Sequence, residues 1–496
     1  MRPTLGTRMT SGIGWMLANQ AVSRLFDIGG LVIFARLLPP ADFGLFAMAV
    51  LVSTVVDMLA SFDFDLGLIQ KTDADTRHWN AAFTLTLLQR LGAATLTAAV
   101  ARPAAMGLDM PHLESLLYAM AAGSALLGLQ NIGVVDFRRR LELRREFWFQ
   151  VGGRAAGFAA TLCFALLWAN AWALVAGSLA NRGASVVLSY APHRFRPRLR
   201  LSAAADLLNF SKWLFVKNAL SYLNHKLDDL VVARTTGAAM VGQYSVSYDI
   251  ASMGSTELVF PINRVAFPGY ARASHDRETL RRHFLTVVSH VAILTLPLGA
   301  GTVVLAEPLV TVLLGEPWRP AIPLLRVFGL AGMIHGVVAN AGPVYLAVGK
   351  PQISATFAAA RVLSLAGPLV WSTMTFGAIG AAWTQLCCNV VFAPITYATL
   401  ASLLDLRLPE TLAALWRPTA AATAMAVVIS NFSDSVATVM GLGLVIAGGA
   451  AAYAVLLIGL WLLVGRPASA EREILRFVTM RREREEAPPP SRPEID

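Results

Sequence analysis

The sequence is short of charge. Only 15% of its 496 residues are Asp, Glu, Lys or Arg, whereas 56% are hydrophobic and the mean hydropathy is +0.57. Soluble globular domains carry about 25% charged residues. This scarcity excludes a soluble globular protein and indicates a chain that is embedded in a membrane.

Cysteine and enzyme motifs are also scarce. The three cysteines, Cys163, Cys387 and Cys388, all lie in apolar runs, which excludes a disulfide framework and a zinc site. The sequence contains no Gly-rich phosphate loop with its Lys-Ser/Thr, no HExxH and no GxSxG. We therefore predict that the protein is not an enzyme and binds neither a cofactor nor a metal.

Long apolar runs are what the sequence does contain. Runs of about 20 residues separated by polar breaks predict membrane-spanning helices. The thirteenth run is short, and no cleaved signal peptide is expected because the first run is long and charged. The fourteen predicted spans are 11–38, 43–66, 79–100, 113–134, 149–169, 172–191, 213–236, 241–262, 284–305, 323–346, 353–375, 380–403, 418–432 and 440–464.

The basic residues are distributed unevenly between the two sides of these spans. Twenty-nine of the 41 Lys and Arg residues fall in the segments on the side of the N-terminus, and two, Arg102 and Arg319, fall in the loops on the other side. Cytoplasmic loops collect Lys and Arg. This asymmetry predicts a multi-pass membrane protein with both termini in the cytoplasm, and it explains the net charge of +10 without nucleic acid.

The two halves of the chain resemble each other at a constant offset of 198 residues. Six spans precede the second copy, so both copies run in the same direction and predict a pseudo-two-fold axis along the membrane normal, with a substrate site near the midplane. The identical pairs are Trp15 and Trp213, Ala21 and Ala219, Ser23 and Ser221, Leu25 and Leu223, Ala35 and Ala233, Arg36 and Arg234, and Gly44 and Gly242.

These features predict an all-α polytopic membrane protein of about 14 transmembrane helices. Its parts are an N-terminal six-helix lobe (1–191), a cytoplasmic linker (192–212), a C-terminal six-helix lobe (213–403), two extra transmembrane helices (404–465) and a charged, partly disordered cytoplasmic tail (466–496). The linker carries four arginines and could lie along the inner membrane surface. The basic segment 136–147 either contacts anionic headgroups or only sets the topology.

Several charged residues lie deep within the predicted spans. An ionised side chain at the bilayer centre costs at least about 2.5–3.5 kcal/mol, so we expect these residues to face an aqueous interior. Basic residues near the span ends, among them Arg36 and Arg154, are expected to reach the headgroups instead. The deep cations are Arg24, Arg90, Lys226 and Arg361, with Arg182 at intermediate depth.

The acidic residues in the spans allow two interpretations. Asp27 lies three residues from Arg24 and shares a helix face with it, either as part of a binding site or as a neutralising pair. Asp57 and Asp249 have no basic neighbour at helical spacing. They are either protonatable coupling residues or partners of the deep cations on other helices.

Five motifs stand in order along the chain: FARLLPPADFGLFAMA, LDDLVVARTTGAAMVGQYSVSY, FPINRVAFPGYAR, LLGEPW and AVGKPQ. Together they resemble the polysaccharide transporter family, the O-antigen and exopolysaccharide repeat-unit flippases of the multidrug/oligosaccharidyl-lipid/polysaccharide superfamily. The similarity covers about residues 8–465.

This resemblance implies a MATE-like fold with two six-helix lobes around a V-shaped cavity, and two extra C-terminal spans. It implies that the chain moves an undecaprenyl-pyrophosphate-linked oligosaccharide to the outer leaflet by alternating access. It also places Asp228 at a family position before the Ala-Arg pair. The implied partners are this lipid-linked substrate, membrane lipids, and a polysaccharide polymerase and chain-length regulator.

Two other functions stay open at this stage. A cation or drug antiporter of the same superfamily would need an acidic, aromatic cavity, and four deep cations argue against one. A membrane glycosyltransferase would need a sizeable outer loop with catalytic residues, whereas the longest predicted outer loop is 306–322. The deep cations favour a substrate with a negatively charged pyrophosphate, which arginine and lysine bind through charge-assisted hydrogen bonds.

Overall fold

The computed structural model describes residues 5–59, 64, 68, 75–139, 142–191, 195–202, 204, 228–433 and 435–465, and these residues form helices and contain no β-strand. We number the helices that correspond to the predicted spans α1 to α14. Their bounds are Leu5–Leu37, Pro40–Leu59, Thr76–Gly107, Pro111–Leu127, Leu143–Trp168, Ala171–Tyr190, 228–236 for the described part of α7, Ala238–Ala273, Arg277–Val304, Ala321–Val338, Pro351–Phe376, Ala378–Leu404, Leu408–Ser433 and Val439–Leu463. Short helical turns lie between them at Ile132–Val134, Val135–Arg139, Ala306–Pro308, Leu309–Leu314, Glu316–Trp318 and Ala341–Ala347.

The helices have the dimensions of membrane spans. Within the described part of the chain, ten helices are long and apolar enough to cross a bilayer. The prediction of an all-α polytopic membrane protein is confirmed, and the predicted number of about 14 helices is consistent with the structure.

The thirteenth span is longer than predicted. The sequence predicts residues 418–432, whereas α13 begins at Leu408 and has 26 residues. Glu410 and Arg417 make the first ten residues of α13 polar in composition, so the predicted span begins only after them. In the structure, Arg417 is buried and Glu410 pairs with Arg281 at 3.4 Å. Because both charges are taken up by packing, α13 reaches full membrane length.

Polar side chains fix where several helices begin. Asp75 accepts hydrogen bonds from the backbone N–H groups of Arg77 and His78 at the start of α3, and the His78 ring completes a capping box. The Arg77 guanidinium beside Asp75 holds the pKa of that carboxyl below its ordinary value. Asp276 and Thr438 cap α9 and α14 in the same way. These caps supply acceptors to helix N–H groups that have no partner within their own helix.

The described residues divide into two compact units. Unit 1 comprises Met1–Val246, Leu313–Ala321 and Ala366–Ala381, and unit 2 comprises Ser247–Val312, Ile322–Leu365 and Ala382–Asp496. The lobe boundaries proposed from the sequence, with their linker at 192–212, stay a prediction.

Each unit has an apolar core between its helices. In unit 1, Phe34 of α1 packs with Ala165 of α5 and Leu174 of α6. In unit 2, Phe284 of α9 packs with Leu400 of α12. The outer surfaces are apolar as well, since Trp168, Trp172, Trp371 and Trp383 are exposed near helix ends. Exposed tryptophans near helix ends are typical of the membrane–water interface.

Two of the sequence motifs meet in unit 1. The segment 313–318, LLGEPW, folds against the turn between α1 and α2. Trp318 is fully buried, its Nε1 donates to the carbonyl of Ala35 at 2.8 Å, and its ring packs edge-on against Phe43. Arg36 donates from Nε to a carbonyl of the same segment at 3.1 Å. Within the predicted loop 306–322, residues 313–318 are therefore folded against the turn between α1 and α2.

A repeat-related pair of glycines makes the closest backbone approach in this region. A Cβ added to Gly44 of α2 would overlap the carbonyl oxygen of Ala238, and one added to Gly242 of α8 would overlap that of Pro40. Small residues allow helix backbones to approach this closely. The sequence repeat thus corresponds to a physical contact between equivalent positions.

We predict that Gly44→Ala lowers the stability of this packing. The added methyl group has no space, and overpacking of this kind costs about 1–3 kcal/mol. Thermal unfolding of the protein in detergent measures the effect. Gly92→Ala on α3 is the control because nothing lies within 4 Å of its added Cβ. Equal unfolding midpoints for the two variants would contradict the close contact.

Candidate functional site

Eight of the nine polar residues proposed from the sequence are described by the structure. Lys226 lies outside the described residues. The other eight are Arg24, Asp27, Asp57, Arg90, Arg182, Asp228, Asp249 and Arg361.

Asp27 lies between two arginines in unit 1, and we call these three residues the Asp27 cluster. Arg154 of α5 donates from Nη1 to Asp27 Oδ1 at 2.9 Å. Arg24, one turn earlier on α1, places Nη1 3.5 Å from Asp27 Oδ2. The pairing of Arg24 with Asp27 that the spacing suggested is present, whereas Arg154 contacts Asp27 rather than extending only towards the membrane surface as expected.

The Asp27 cluster is rich in guanidinium groups and accessible. Two guanidinium groups face one carboxylate, and about four-tenths of each side chain is exposed (38% for Arg24 and Arg154, 41% for Asp27). Charged side chains within membrane helices face water-filled cavities or protein interiors, since exposure to lipid is costly. Partly exposed guanidinium groups are suited to binding an anionic group through charge-assisted hydrogen bonds.

Amide side chains continue the polar contact between α1 and α5. Asn19 donates from Nδ2 to Gln150 Oε1 at 2.9 Å, and Gln150 donates from Nε2 to Glu146 Oε1 at 2.9 Å. The sequence analysis missed these residues because uncharged amides do not stand out in a charge count. Glu146, Gln150 and Arg154 follow one another at intervals of four residues on α5. This helical spacing is the signal that could have identified them.

A second group of charges, the Asp57 cluster, joins four helices of unit 1. Arg90 of α3 places Nη1 3.2 Å from Asp57 Oδ2 of α2, and Ser124 of α4 donates to Asp57 Oδ1 at 3.0 Å. Arg182 of α6 donates to the carbonyl of Met120 at 3.2 Å. Arg90 and Arg182 therefore each contact an acceptor that another helix supplies.

The pairing of Asp57 changes the interpretation of that residue. The sequence left two readings open, a coupling residue without a partner and a partner of a deep cation. The structure shows the second arrangement, with Arg90 as the cation. Spacing along one helix could not show this because the two residues lie on different helices. Asp57 is thus a paired residue, and its candidacy as an isolated protonation site is weakened.

Asp228 is buried rather than open to a cavity. Only 4% of its surface is exposed, and the hydroxyl of Tyr244, itself fully buried, donates to Asp228 Oδ2 at 2.9 Å. This hydrogen bond ties the described end of α7 to α8. In the described structure Asp228 therefore stabilises the packing of α7 on α8, and a role for it in substrate binding stays a prediction.

Two of the proposed residues belong to unit 2. Arg361 of α11 donates from Nη2 to Gln385 Oε1 of α12 at 3.3 Å and is half-buried. Asp249 of α8 is exposed. A buried cation that the sequence analysis assigned to a loop is also present, Arg417 on α13. Extending the predicted span backwards across Trp416 would have found it.

Unit 2 contains an apolar cavity of about 540 Å³ between α9, α13 and α14, with one residue from α8. Its walls include Leu298, Met425, Ile429 and Ala450. The hydroxyl of Tyr453 borders the cavity but donates to the carbonyl of Ile293 at 2.9 Å. A cavity lined in this way accepts a hydrocarbon chain rather than a polar group.

Known proteins of polysaccharide biosynthesis are similar to this chain in sequence. The chain is 26% identical to the lipopolysaccharide biosynthesis protein WzxC of Escherichia coli (strain K12) over 404 residues, which cover 79% of this chain and 81% of that protein. It is 25% identical to the succinoglycan biosynthesis transport protein ExoT of Rhizobium meliloti (strain 1021) over 398 residues, which cover 78% and 79%.

Solved structures share the fold. The lipid II flippase MurJ in an inward closed conformation superposes with a TM-score of 0.73 at 12% identity, covering 91% of this chain and 99% of that one. An inward-facing multidrug resistance MATE family transporter of the MOP superfamily gives 0.58 at 16% identity, covering 77% and 95%. The fold is therefore MATE-like, as predicted. A family model described as "Polysaccharide biosynthesis protein" matches residues 33–323, more than half of the sequence, and the chain belongs to that family.

Proposed function

We propose that this chain is a flippase that moves undecaprenyl-pyrophosphate-linked oligosaccharide repeat units across the bacterial inner membrane. The glycan would serve exopolysaccharide, O-antigen or capsule biosynthesis. The family assignment and the names of WzxC and ExoT support a role in polysaccharide export. The finer proposal depends on the chemistry of the two units.

The Asp27 cluster carries this proposal. A pyrophosphate headgroup is strongly hydrated and negatively charged, so it crosses a membrane only where the protein replaces its water. Arg24 and Arg154 offer planar guanidinium groups that can each bind two phosphate oxygens. Because both guanidinium groups are partly exposed, each can present N–H donors to an anion beside Asp27.

The apolar cavity of unit 2 supports a substrate with a long hydrocarbon tail. Each methylene group removed from water stabilises a complex by about 0.8 kcal/mol. An isoprenoid segment fits the chemistry of the walls around Leu298 and Met425. In this proposal Met425 and Ile429 of α13 form one side of the tail site.

Orientation and cycle are part of the same proposal. The excess of basic residues on one side supports an orientation with both termini in the cytoplasm. The chain would expose the charged site alternately to either membrane face, and product removal or an ion gradient would bias the cycle. Its partners would be the lipid-linked oligosaccharide, membrane lipids, and a polymerase and chain-length regulator that consume the product.

The alternative, a cation or drug antiporter, has less support. A cationic substrate needs an uncompensated carboxylate in the transport path. In unit 1, Asp27 faces two arginines and Asp57 faces Arg90. Neither carboxylate is uncompensated, so neither cluster offers the site that a cation needs.

We predict that Arg24→Ala and Arg154→Ala each weaken binding of undecaprenyl pyrophosphate by about 10- to 100-fold. A hydrogen bond to a charged group contributes about 1.5–3 kcal/mol, and about 1.4 kcal/mol corresponds to a factor of ten. Arg24→Lys should recover only part of the loss, because an ammonium group cannot bridge two oxygens. Native mass spectrometry of the purified protein measures the binding, and glycan export by complemented cells measures the function.

The variant Asp27→Asn separates the two candidate functions. A flippase that binds pyrophosphate should keep or increase its affinity, because a carboxylate next to the anion is removed. An antiporter should lose binding of its cation. Arg282→Ala, at an exposed position near the start of α9, is the control for loss of one positive charge. Unchanged affinity in both Arg24→Ala and Arg154→Ala would refute the proposed site.

We predict that Ala450→Trp blocks the tail site. The indole would fill part of the cavity and displace several methylene groups, so binding of the full undecaprenyl lipid should fall at least about tenfold. Binding of geranyl pyrophosphate, which is too short to need the cavity, should not change. Ala451→Trp is the matched control because Ala451 is exposed and does not line the cavity. If both variants bind the long lipid equally well, the tail lies elsewhere.

Asp249 remains the coupling candidate on α8. If its protonation drives the cycle, Asp249→Asn should abolish gradient-driven export in proteoliposomes but retain slow exchange of lipid between leaflets. Asp57→Asn should instead affect both activities together, because it breaks the pair with Arg90. Gradient-driven export that persists in the double variant would end the coupling hypothesis.

A further inference from the structure

Residues 195–201, FRPRLRL, form an extended segment that lies across the start of α3 in unit 1, and we call it the basic strap. Arg196, Arg198 and Arg200 occupy alternate positions and are exposed. Leucines occupy the positions beside them, with 67% of Leu199 and 51% of Leu201 exposed. From Arg198 to Leu201, arginine and exposed leucine therefore alternate along this short segment.

Buried side chains hold the backbone of the basic strap. Asn80 Oδ1 accepts from the N–H of Arg198 at 2.8 Å, and Thr84 Oγ1 accepts from the N–H of Arg200 at 2.9 Å. Asn131 donates from Nδ2 to the carbonyl of residue 195 at 2.8 Å. Asn80, Thr84 and Asn131 are each more than nine-tenths buried. Three polar side chains that would be costly to bury alone are thus satisfied by the strap.

Aromatic contacts anchor the first part of the basic strap. The ring of Phe195 packs against Trp79, with ring centroids 6.0 Å apart. The guanidinium of Arg196 lies over the ring of Tyr190 at 5.9 Å. With its backbone fixed at both ends, the strap presents its arginines in a defined spacing rather than as a flexible basic loop.

We propose that the basic strap is a binding site for anionic phospholipid headgroups of the cytoplasmic leaflet. The proposal depends on the cytoplasmic orientation given under the proposed function. Arginine forks bind phosphate oxygens in bidentate geometry. Exposed leucines between them match the boundary between headgroups and acyl chains, where apolar side chains lower the free energy of interfacial binding. The two exposed leucines beside the arginines are therefore suited to contact acyl chains.

The direct test removes the charge of the basic strap. The triple variant Arg196→Ala/Arg198→Ala/Arg200→Ala should bind phosphatidylglycerol on the order of a hundredfold more weakly, since each basic residue near an anionic surface contributes about a factor of five. Binding of phosphatidylcholine should not change. Native mass spectrometry of the full chain in detergent, at low and high salt, measures both lipids.

Two further variants separate a built site from general attraction. The control triple Arg272→Ala/Arg282→Ala/Arg407→Ala removes the same charge from exposed arginines of unit 2, and it should retain nearly all binding. The variant Leu199→Ser/Leu201→Ser keeps every charge and should still weaken binding. Unfolding midpoints in phosphatidylcholine micelles should match wild type, which excludes misfolding as the cause.

Three results would overturn the proposal. The first is equal wild-type affinity for the two phospholipids. The second is an equal loss in the strap and control triples, which would mean that only net charge matters. The third is displacement of phosphatidylglycerol from the strap by undecaprenyl pyrophosphate at equal concentration, which would make the strap part of the substrate path. Because none of these measurements requires transport, the proposed function can fail while the lipid site stands.

Discussion

Lipid offers no hydrogen bonds, so every backbone carbonyl within a membrane helix needs a donor from the protein. Proline removes that donor from the residue four positions before it, because it has no N–H. At three prolines of this chain, side chains from distant segments take over the role. Trp318 donates to Ala35, four residues before Pro39; Tyr453 donates to Ile293, four before Pro297; and Asn263 donates to Ala339, four before Pro343. Each of these three prolines therefore leaves a carbonyl to which one particular side chain donates.

The same requirement governs the charges. A carboxylate in a membrane helix is stable only with cations or donors around it, and here the partners come from adjacent helices: Arg154 for Asp27, and Arg90 with Ser124 for Asp57. The balance within each group decides what it can do. The arginines of the Asp27 cluster join α1 to α5 and remain partly exposed, so the cluster combines helix association with accessible N–H donors.

Much of the fold could be predicted because apolar runs of membrane length report helices directly. The one clear error, the short thirteenth span, arose because the apolar run was ended at Arg417, a charged residue that is buried in the structure. The candidate site was less predictable. Arg24 and Asp27 could be paired because they are neighbours on one helix, but Asp57 with Arg90, and Asp228 with Tyr244, depend on which helices touch. Sequence spacing contains no information on that choice.

The contact between Gly44 and Gly242 has a consequence for the origin of the chain. These residues are equivalent in the 198-residue repeat, and a contact between equivalent residues lies close to the axis that relates the two copies. A half-length ancestor would therefore have formed this contact between two identical copies, glycine against glycine. Fusion of two such genes would preserve the contact without any new packing. The constraint on both glycines would then be older than the specialisation of either half.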